Sequence, residues 1–247
     1  MAGRIGYYGG IVRDGLVLNL DAAKLDSYPR TGTSWRDVSG NGNNGTLING
    51  PTFNSDNGGS IVFDGTNDYM TLGSPTGFSM APSGVTMVFW IYNNYPGYYL
   101  GIFERSTYTG AALTTALPST GWVQVGYSSN GSTNYFIING VRYTSNGLGR
   151  YIYDNAVDRP LYSSSNVGYF PGPGAQNFCF QVQAAASTGT GTYIWSDLGY
   201  RMLGVTNFSV GPDYFNGNFS QVQIYNRALS SQEVLQNYNA TKGRYGL

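Results

Sequence analysis

Val85-Thr86-Met87-Val88-Phe89-Trp90-Ile91 is the most continuously apolar and β-prone stretch of the chain. A short run of β-branched and aromatic residues of this kind suits a strand with both faces at least partly covered, so it is predicted to lie in the middle of a sheet. Downstream, strands are predicted at Tyr99–Phe103, Trp122–Tyr127, Tyr135–Ile138, Phe178–Gln183 and Tyr193–Trp195, each bounded by Gly, Pro, Ser or Asn. Upstream, Leu16-Val17-Leu18-Asn19-Leu20-Asp21 alternates so that Leu16, Leu18 and Leu20 share one face. Ser60-Ile61-Val62-Phe63-Asp64-Gly65 is a further strand, and Asn67-Asp68-Tyr69-Met70-Thr71-Leu72 follows it after a turn, which reads as a hairpin.

The end of the chain changes period. Asn218 to Tyr225 alternates Phe219, Gln221, Gln223 and Tyr225 against Ser220, Val222 and Ile224, a closing strand with mixed faces. A helix is predicted directly after it. Ser230 and Glu233 have capping-box spacing, Leu229 and Val234 are placed as a hydrophobic staple, and Val234, Leu235 and Tyr238 form an apolar stripe. Gly243 and Gly246 are expected to end it. The predicted fold class is therefore all-β, a two-sheet antiparallel sandwich with a short C-terminal helix.

Composition agrees. Hydrophobic residues make up 41% of the 247 residues and aromatic residues 15%, enough for a sizeable core. The 36 glycines and 22 tyrosines favour many turns and much strand. Sandwiches of this length commonly form one unit, so residues 15–247 are assigned to a single domain, preceded by a Gly/Tyr-rich arm at 1–14. Loop-like sequence at Tyr169-Phe170-Pro171-Gly172-Pro173-Gly174 and Ser187-Thr188-Gly189-Thr190-Gly191-Thr192 predicts an irregular excursion around 145–204. The 13 basic and 13 acidic residues balance, which argues against nucleic acid or anionic membrane as a partner. No signal-peptide core opens the chain and no 18-residue apolar span occurs in it. Cys179, the one cysteine, sits in an apolar run and reads as a buried thiol.

Four segments together resemble the concanavalin-A-like, laminin-G-type jelly-roll domains found in secreted bacterial proteins and in tailed-phage virion proteins. They are Gly15–Asp21 with the turn Trp35-Arg36-Asp37-Val38-Ser39-Gly40-Asn41-Gly42-Asn43-Asn44-Gly45-Thr46-Leu47, then Ser60–Tyr69, then Trp122–Val125 with Tyr135–Val141, and finally Phe215–Ser230 with its Tyr225-Asn226-Arg227-Ala228-Leu229-Ser230 lead into the helix. The resemblance implies a jelly roll, and the wording of the ends looks most like phage structural proteins. It implies a virion structural protein, a capsid decoration or fibre-like appendage at the virion surface, with other virion proteins as partners and symmetric homo-oligomeric assembly. Relatives often carry acidic residues where this chain has Ser220 and Gln221, and His where it has Asn44, which makes the turn look structural.

Two other functions follow from the same fold. One is a carbohydrate-binding module or adhesin that stacks tyrosines on a glycan of a host or environmental surface. Tyr95, Tyr98 and Tyr99, in the loop-like Tyr95-Pro96-Gly97-Tyr98-Tyr99, are the candidate sugar-contacting residues. The other is a glycan hydrolase, disfavoured because retaining hydrolysis needs two carboxylates and the chain has only two glutamates, Glu104 and Glu233, the second already explained as a cap. Histidine is absent, which removes His-based triads and His-ligated zinc. No catalytic residue, metal ligand or cofactor is assigned. Asp37-x-Ser39-x-Asn41-Gly42 partly matches a calcium loop, but Ile48 stands where the bidentate glutamate belongs, so Asx turns are the expected reading and a structural calcium ion stays open. Trp35, Trp90 and Trp122 are assigned to the core.

Overall fold

A computed structural model describes residues 10–72, 75–77, 84–94, 99–104, 110–117, 120–130, 133–144, 178–183, 191–197, 202–203, 205–208 and 211–247. Strands β1 (Leu16–Asp21), β2 (Ser34–Trp35), β3 (Gly45–Ile48), β4 (Thr52–Asn54), β5 (Ser60–Asp64) and β6 (Tyr69–Thr71) come first. They are followed by β7 (Val85–Asn93), β8 (Tyr99–Glu104), β9 (Gly110–Ala116), β10 (Gly121–Ser129), β11 (Asn134–Ile138) and β12 (Val141–Thr144). The last group is β13 (Phe178–Gln183), β14 (Gly191–Asp197), β15 (Met202–Leu203), β16 (Val205–Phe208), β17 (Gly211–Tyr214) and β18 (Asn216–Tyr225), after which come helix α1 (Ser231–Thr241) and a 3-10 turn over Lys242–Tyr245.

These strands form two antiparallel sheets. The first runs β12-β11-β10-β7-β18-β5-β4 with β1 also paired to β18, and the second runs β2-β3-β6-β15-β14-β13-β8-β9. β16 and β17 pair with each other as a separate small ribbon beside β14. The fold is an all-β sandwich, and β7 is central as expected, held between β10 and β18. Strands β13, β14 and β15 fall within the predicted excursion yet supply the middle of the second sheet; other residues of 145–204 lie outside the described ones.

One core lies between the sheets. Leu18, Leu20, Phe63, Met87, Phe89, Ile91, Val123, Val125, Phe219, Val222 and Ile224 of the first sheet meet Trp35, Leu47 and Met70 of the second. Phe219 is its hub, with ring centres 4.5 Å from Phe215 and 5.1 Å from Phe63.

Two bulges change which residues enter this core. Between Leu16 and Leu18 the pairing with β18 shifts, so Leu16 joins a second apolar cluster with Tyr225, while Leu18 and Leu20 face inward. The expected shared face of Leu16, Leu18 and Leu20 is thus broken by one extra residue. In β18 a bulge between Phe219 and Gln221 puts Phe219 on the side of Val222 and Ile224, so the apolar residues that looked split by alternation share one face. Since side chains alternate with period two, a single inserted residue reverses every assignment beyond it.

The predicted hairpin of Ser60–Gly65 with Asn67–Leu72 does not form. β5 pairs with β4 and β18 in the first sheet, whereas β6 pairs with β3 and β15 in the second, so the turn between them crosses the sandwich. Asp64 and Asp68 shape that crossing: Asp64 Oδ1 accepts the Thr66 amide at 2.7 Å, and Asp68 Oδ2 accepts the Asp64 amide at 3.1 Å. The Asn139-Gly140 turn of the β11-β12 hairpin has φ of 46° and 78°, the left-handed pair that a tight hairpin requires. A Cβ at Gly140 would also come within 2.7 Å of Tyr238, so the glycine lets the terminal helix approach the sheet.

That helix covers the outer face of the first sheet. The capping box is present: Ser230 accepts the Glu233 amide and Glu233 accepts the Ser230 amide. Leu229 and Val234 are both buried in the second apolar cluster, which fulfils the staple. The buried helical residues are Val234, Asn237 and Thr241, whereas Leu235 is 46% exposed, so the expected Leu235 stripe is rotated toward solvent. Gly246, at φ 74°, ends the following 3-10 turn.

Candidate functional site

The Asp37 turn is built by hydrogen bonds to its own chain. Asp37 Oδ1 accepts the amides of Asn19 at 2.9 Å and Ser39 at 2.8 Å, and Oδ2 accepts the Ser39 hydroxyl at 2.8 Å and the Asn43 amide at 3.0 Å. Asn44 Oδ1 accepts the Asp37 amide, and Asn43 Nδ2 donates to the Val17 and Thr76 carbonyls. Oxygens that a calcium loop would turn toward an ion are here spent on backbone N–H groups. Among the described residues no three His, Cys, Asp or Glu side chains gather as a metal group.

Glu233 is likewise committed. Beyond the capping box it receives both terminal nitrogens of Arg227, which also meets Asp14 at 2.8 Å. The Arg227 guanidinium, aided by the Ser230 amide, holds the Glu233 carboxyl down to about 2. A group that stays ionised this far down is a poor general acid at neutral pH. The depressed value means that its stabilising contribution is complete above about 4.5 and is lost as pH falls toward about 2. Glu233→Gln is therefore expected to lower the urea midpoint at neutral pH by the equivalent of about 1 kcal/mol and to have little effect near pH 2.5. Equal losses at both pH values would show that the ionised form is not what stabilises the cap. Glu104 closes β8 opposite Phe178, and its side chain lies outside the described residues.

The aromatic side chains gather at one end of the outer face. Trp90, from β7, is buried beneath the cover, with Tyr245 stacked on it at 4.0 Å and Tyr238 at 5.8 Å. Its indole Nε1 donates to Thr241 Oγ1 at 2.9 Å. Burial pushes the Tyr245 phenol up to about 12, and its hydroxyl donates to Ser220 Oγ. Trp122, in β10 directly opposite Tyr92, lies 4.8 Å from Tyr245 and meets Tyr92 edge-on at 5.7 Å. Tyr92 and Trp122 are only partly buried, so the aromatic row begins in the interior and reaches the surface at this pair. Trp35 is in the sandwich core as expected; Trp90 is buried under the helix instead, and Trp122 is half-buried at the rim.

Of the sugar-contacting candidates, Tyr95 and Tyr98 lie outside the described residues, and of Tyr99 only the backbone is described, as the first residue of β8 opposite Gln183. Strand β7 ends at Asn93, one residue beyond Tyr92. Tyr92 and Trp122 were not among the sugar-contacting residues singled out from sequence. Their signal was weak, because an aromatic at a strand end looks the same in sequence whether a terminal helix covers it wholly or in part. The Cys179 thiol also lies outside the described side chains.

No protein-family model matches this chain, and no curated protein matches it. Among solved structures it is similar to the binding domain of botulinum neurotoxin DC. In complex with rat synaptotagmin II that domain aligns with a TM-score of 0.55 and 10% identity, covering 93% of this chain and 52% of the other. In complex with SialylT it aligns with a TM-score of 0.52 and 10% identity over the same shares. Trypanosoma rangeli sialidase bound to a difluoro-KDN aligns with a TM-score of 0.50 and 13% identity, covering 93% of this chain and 33% of that one. This chain spans about half the length of the toxin domains and a third of the sialidase. At such identities the likeness establishes the β-sandwich fold alone. No helix among the described residues is long and apolar enough to cross a membrane.

Proposed function

We propose that this chain is a non-catalytic recognition domain whose sandwich binds carbohydrate at the rim formed by Tyr92 and Trp122, with Tyr95, Tyr98 and Tyr99, which follow Tyr92 closely in sequence, as further sugar contacts. The observation that carries the reading is the partly exposed Tyr92–Trp122 pair at the end of a buried aromatic row. The Trp122 ring, packed against Tyr245, which itself stacks on Trp90, loses little conformational freedom on meeting a sugar face. The likeness to a toxin binding domain solved with SialylT supports a fold that can present such a surface. The engagement of Glu233 in its cap supports a role without hydrolysis.

A glycan array is the test. Wild type is expected to bind at least one glycan class, with Tyr98→Ala and Tyr99→Ala each weakening it by on the order of tenfold, the equivalent of one lost stacking contact, and Trp122→Phe, which keeps a smaller ring, weakening it less. Uniformly absent binding by folded wild-type protein, or binding indifferent to all three substitutions, would overturn the assignment. Hydrolysis of an arrayed polysaccharide that vanished in Glu104→Gln would overturn the non-catalytic part.

The resemblance of the Asp37 turn and of Tyr225–Ser230 to tailed-phage virion proteins supports display of this surface on a virion, as a homo-oligomeric decoration or fibre-like appendage. Val234, Asn237 and Thr241 are used inside the domain, and residues 10–14 are tied to it, since Gln236 donates to Gly10 O, Asn237 Oδ1 accepts the Val12 amide and Arg227 donates to Asp14 O. Attachment through the buried face of α1 is thereby disfavoured. Mass spectrometry of purified particles tests the location: absence of the protein from virions would sink it while leaving glycan recognition intact.

A further inference from the structure

The outer face of the first sheet has the residues of a solvent face, yet it is covered. Between β1 and β18 it carries Asn19 opposite Gln223 and Asp21 opposite Gln221, none more than 4% exposed. Side chains directly opposite across antiparallel strands lie about 5 Å apart at Cβ and diagonal ones about 7–8 Å, so these four polar groups share one patch. Asp21 is fully served, by a bidentate Arg244 at 2.7 and 3.0 Å, by Gln221 Nε2 at 3.0 Å and by the Ala23 amide at 3.1 Å. The three amide oxygens are not: Asn19 Oδ1, Gln221 Oε1 and Gln223 Oε1 are buried without a protein donor.

Buried amide oxygens rarely go unpaired, because leaving one without a donor forfeits the hydrogen bond it made to water in the unfolded chain. Turning Gln221 over does not help. Its Nε2 donates to Asp21, and reversal would set its oxygen against a carboxylate. Each side chain can offer only what its chemistry allows, and three acceptors require three donated protons.

We propose that this seam binds a pair of internal water molecules that donate to Asn19 Oδ1, Gln221 Oε1 and Gln223 Oε1. One water has two protons and falls one short, whereas two supply all three and keep a fourth to link to each other. A metal cation fits less well. Arg244 already balances the Asp21 charge, and hard cations take about six or more oxygens, where the seam has three uncommitted ones. The waters are hydration that the polar sheet face retains when the terminal helix and 3-10 turn close over it.

A crystal structure of the full chain, at a resolution that shows ordered solvent, tests this directly. Two density peaks within hydrogen-bond distance of the three oxygens are expected. Oxygen-17 magnetic relaxation dispersion on the same protein is expected to show two long-lived waters that disappear when Asn19→Leu and Gln223→Met are combined. An empty seam, or a Gln223 turned so that its Nε2 donates to Asn19 Oδ1, would overturn the proposal. So would an anomalous rubidium signal at the site after soaking, since it would make the occupant a cation.

Discussion

Asp21→Ala is expected to lower the unfolding free energy by about 3–5 kcal/mol, the range for removing one partner of a buried ion pair. Asp21 is fully buried, and its two oxygens hold Arg244, Gln221 and the Ala23 amide together. Deleting the carboxylate strands Arg244, whose side chain is only 22% exposed, and leaves two further donors without their acceptor. It also unfastens the C-terminal 3-10 turn from β1, because Arg244 is the residue through which that turn grips the strand. The check is urea unfolding of Asp21→Ala, Arg244→Ala and the double variant. The double variant is expected to lose clearly less than the sum of the singles, since each single removes the same bridge. A loss below about 1 kcal/mol for Asp21→Ala would place the pair with ordinary surface salt bridges and contradict its burial.

Trp90→Ala should be similarly costly, by about 3–5 kcal/mol, because it empties a large site that the surroundings cannot refill. Tyr245 and Tyr238 would lose the ring they stack on, and Thr241 the indole N–H that it accepts. Hydrogen exchange should locate the damage: amides of α1 and of the 3-10 turn exchange faster, while those between β7 and β10 keep most of their protection. Trp90→Phe retains an aromatic partner for Tyr245 and should cost well under half as much. Uniform loss of protection across both sheets would mean that Trp90 belongs to the central core after all. Asp21 and Trp90 secure the same cover, so their effects are not expected to add.

How much of this was legible beforehand differs by element. The β7 strand was plain because Val85–Ile91 satisfies both of its faces with apolar side chains, and it is central with a neighbour on each side. The start of α1 was equally plain, because Ser230, Glu233, Leu229 and Val234 act on one another within one turn. The Asp37 turn was legible only through its local bonds from Asp37 to Ser39 and Asn43; those that tie it to Asn19, Val17 and Thr76 were not. The β5–β6 hairpin was misread because a strand, a Gly-Thr-Asn turn and a second strand look alike whether the second returns beside the first or crosses to the other sheet. The choice was made by β18, which arrives from the far end of the chain to occupy the edge that β6 would have taken.

The bulges at Leu16–Leu18 and Phe219–Gln221 were hidden in a similar way. Alternation is counted along one strand, while a bulge exists only relative to a partner, so the faces of Leu16 and Phe219 could not be read from their own segments. The candidate rim shows the same limit. Trp90 lies within the apolar run Val85–Ile91 and Trp122 follows Gly121 at a strand start, and both were assigned to the core. Tyr238 and Tyr245, far away in sequence, bury the first under the cover, while the second stays partly exposed.

By itself the sequence determined an all-β sandwich with a central β7, a capped terminal helix and a turn that spends its carboxylate on nearby groups of its own chain. These are set by periodicity and by hydrogen bonds between near neighbours, which each segment carries with it. Only the tertiary structure decided that a polar sheet face would be covered, that Asp21 would be locked by Arg244, and that the aromatic row would surface at Tyr92 and Trp122. Those outcomes depend on contacts between residues far apart in the chain, whose free energy exists only once the sheets have formed and the C-terminus has closed over them.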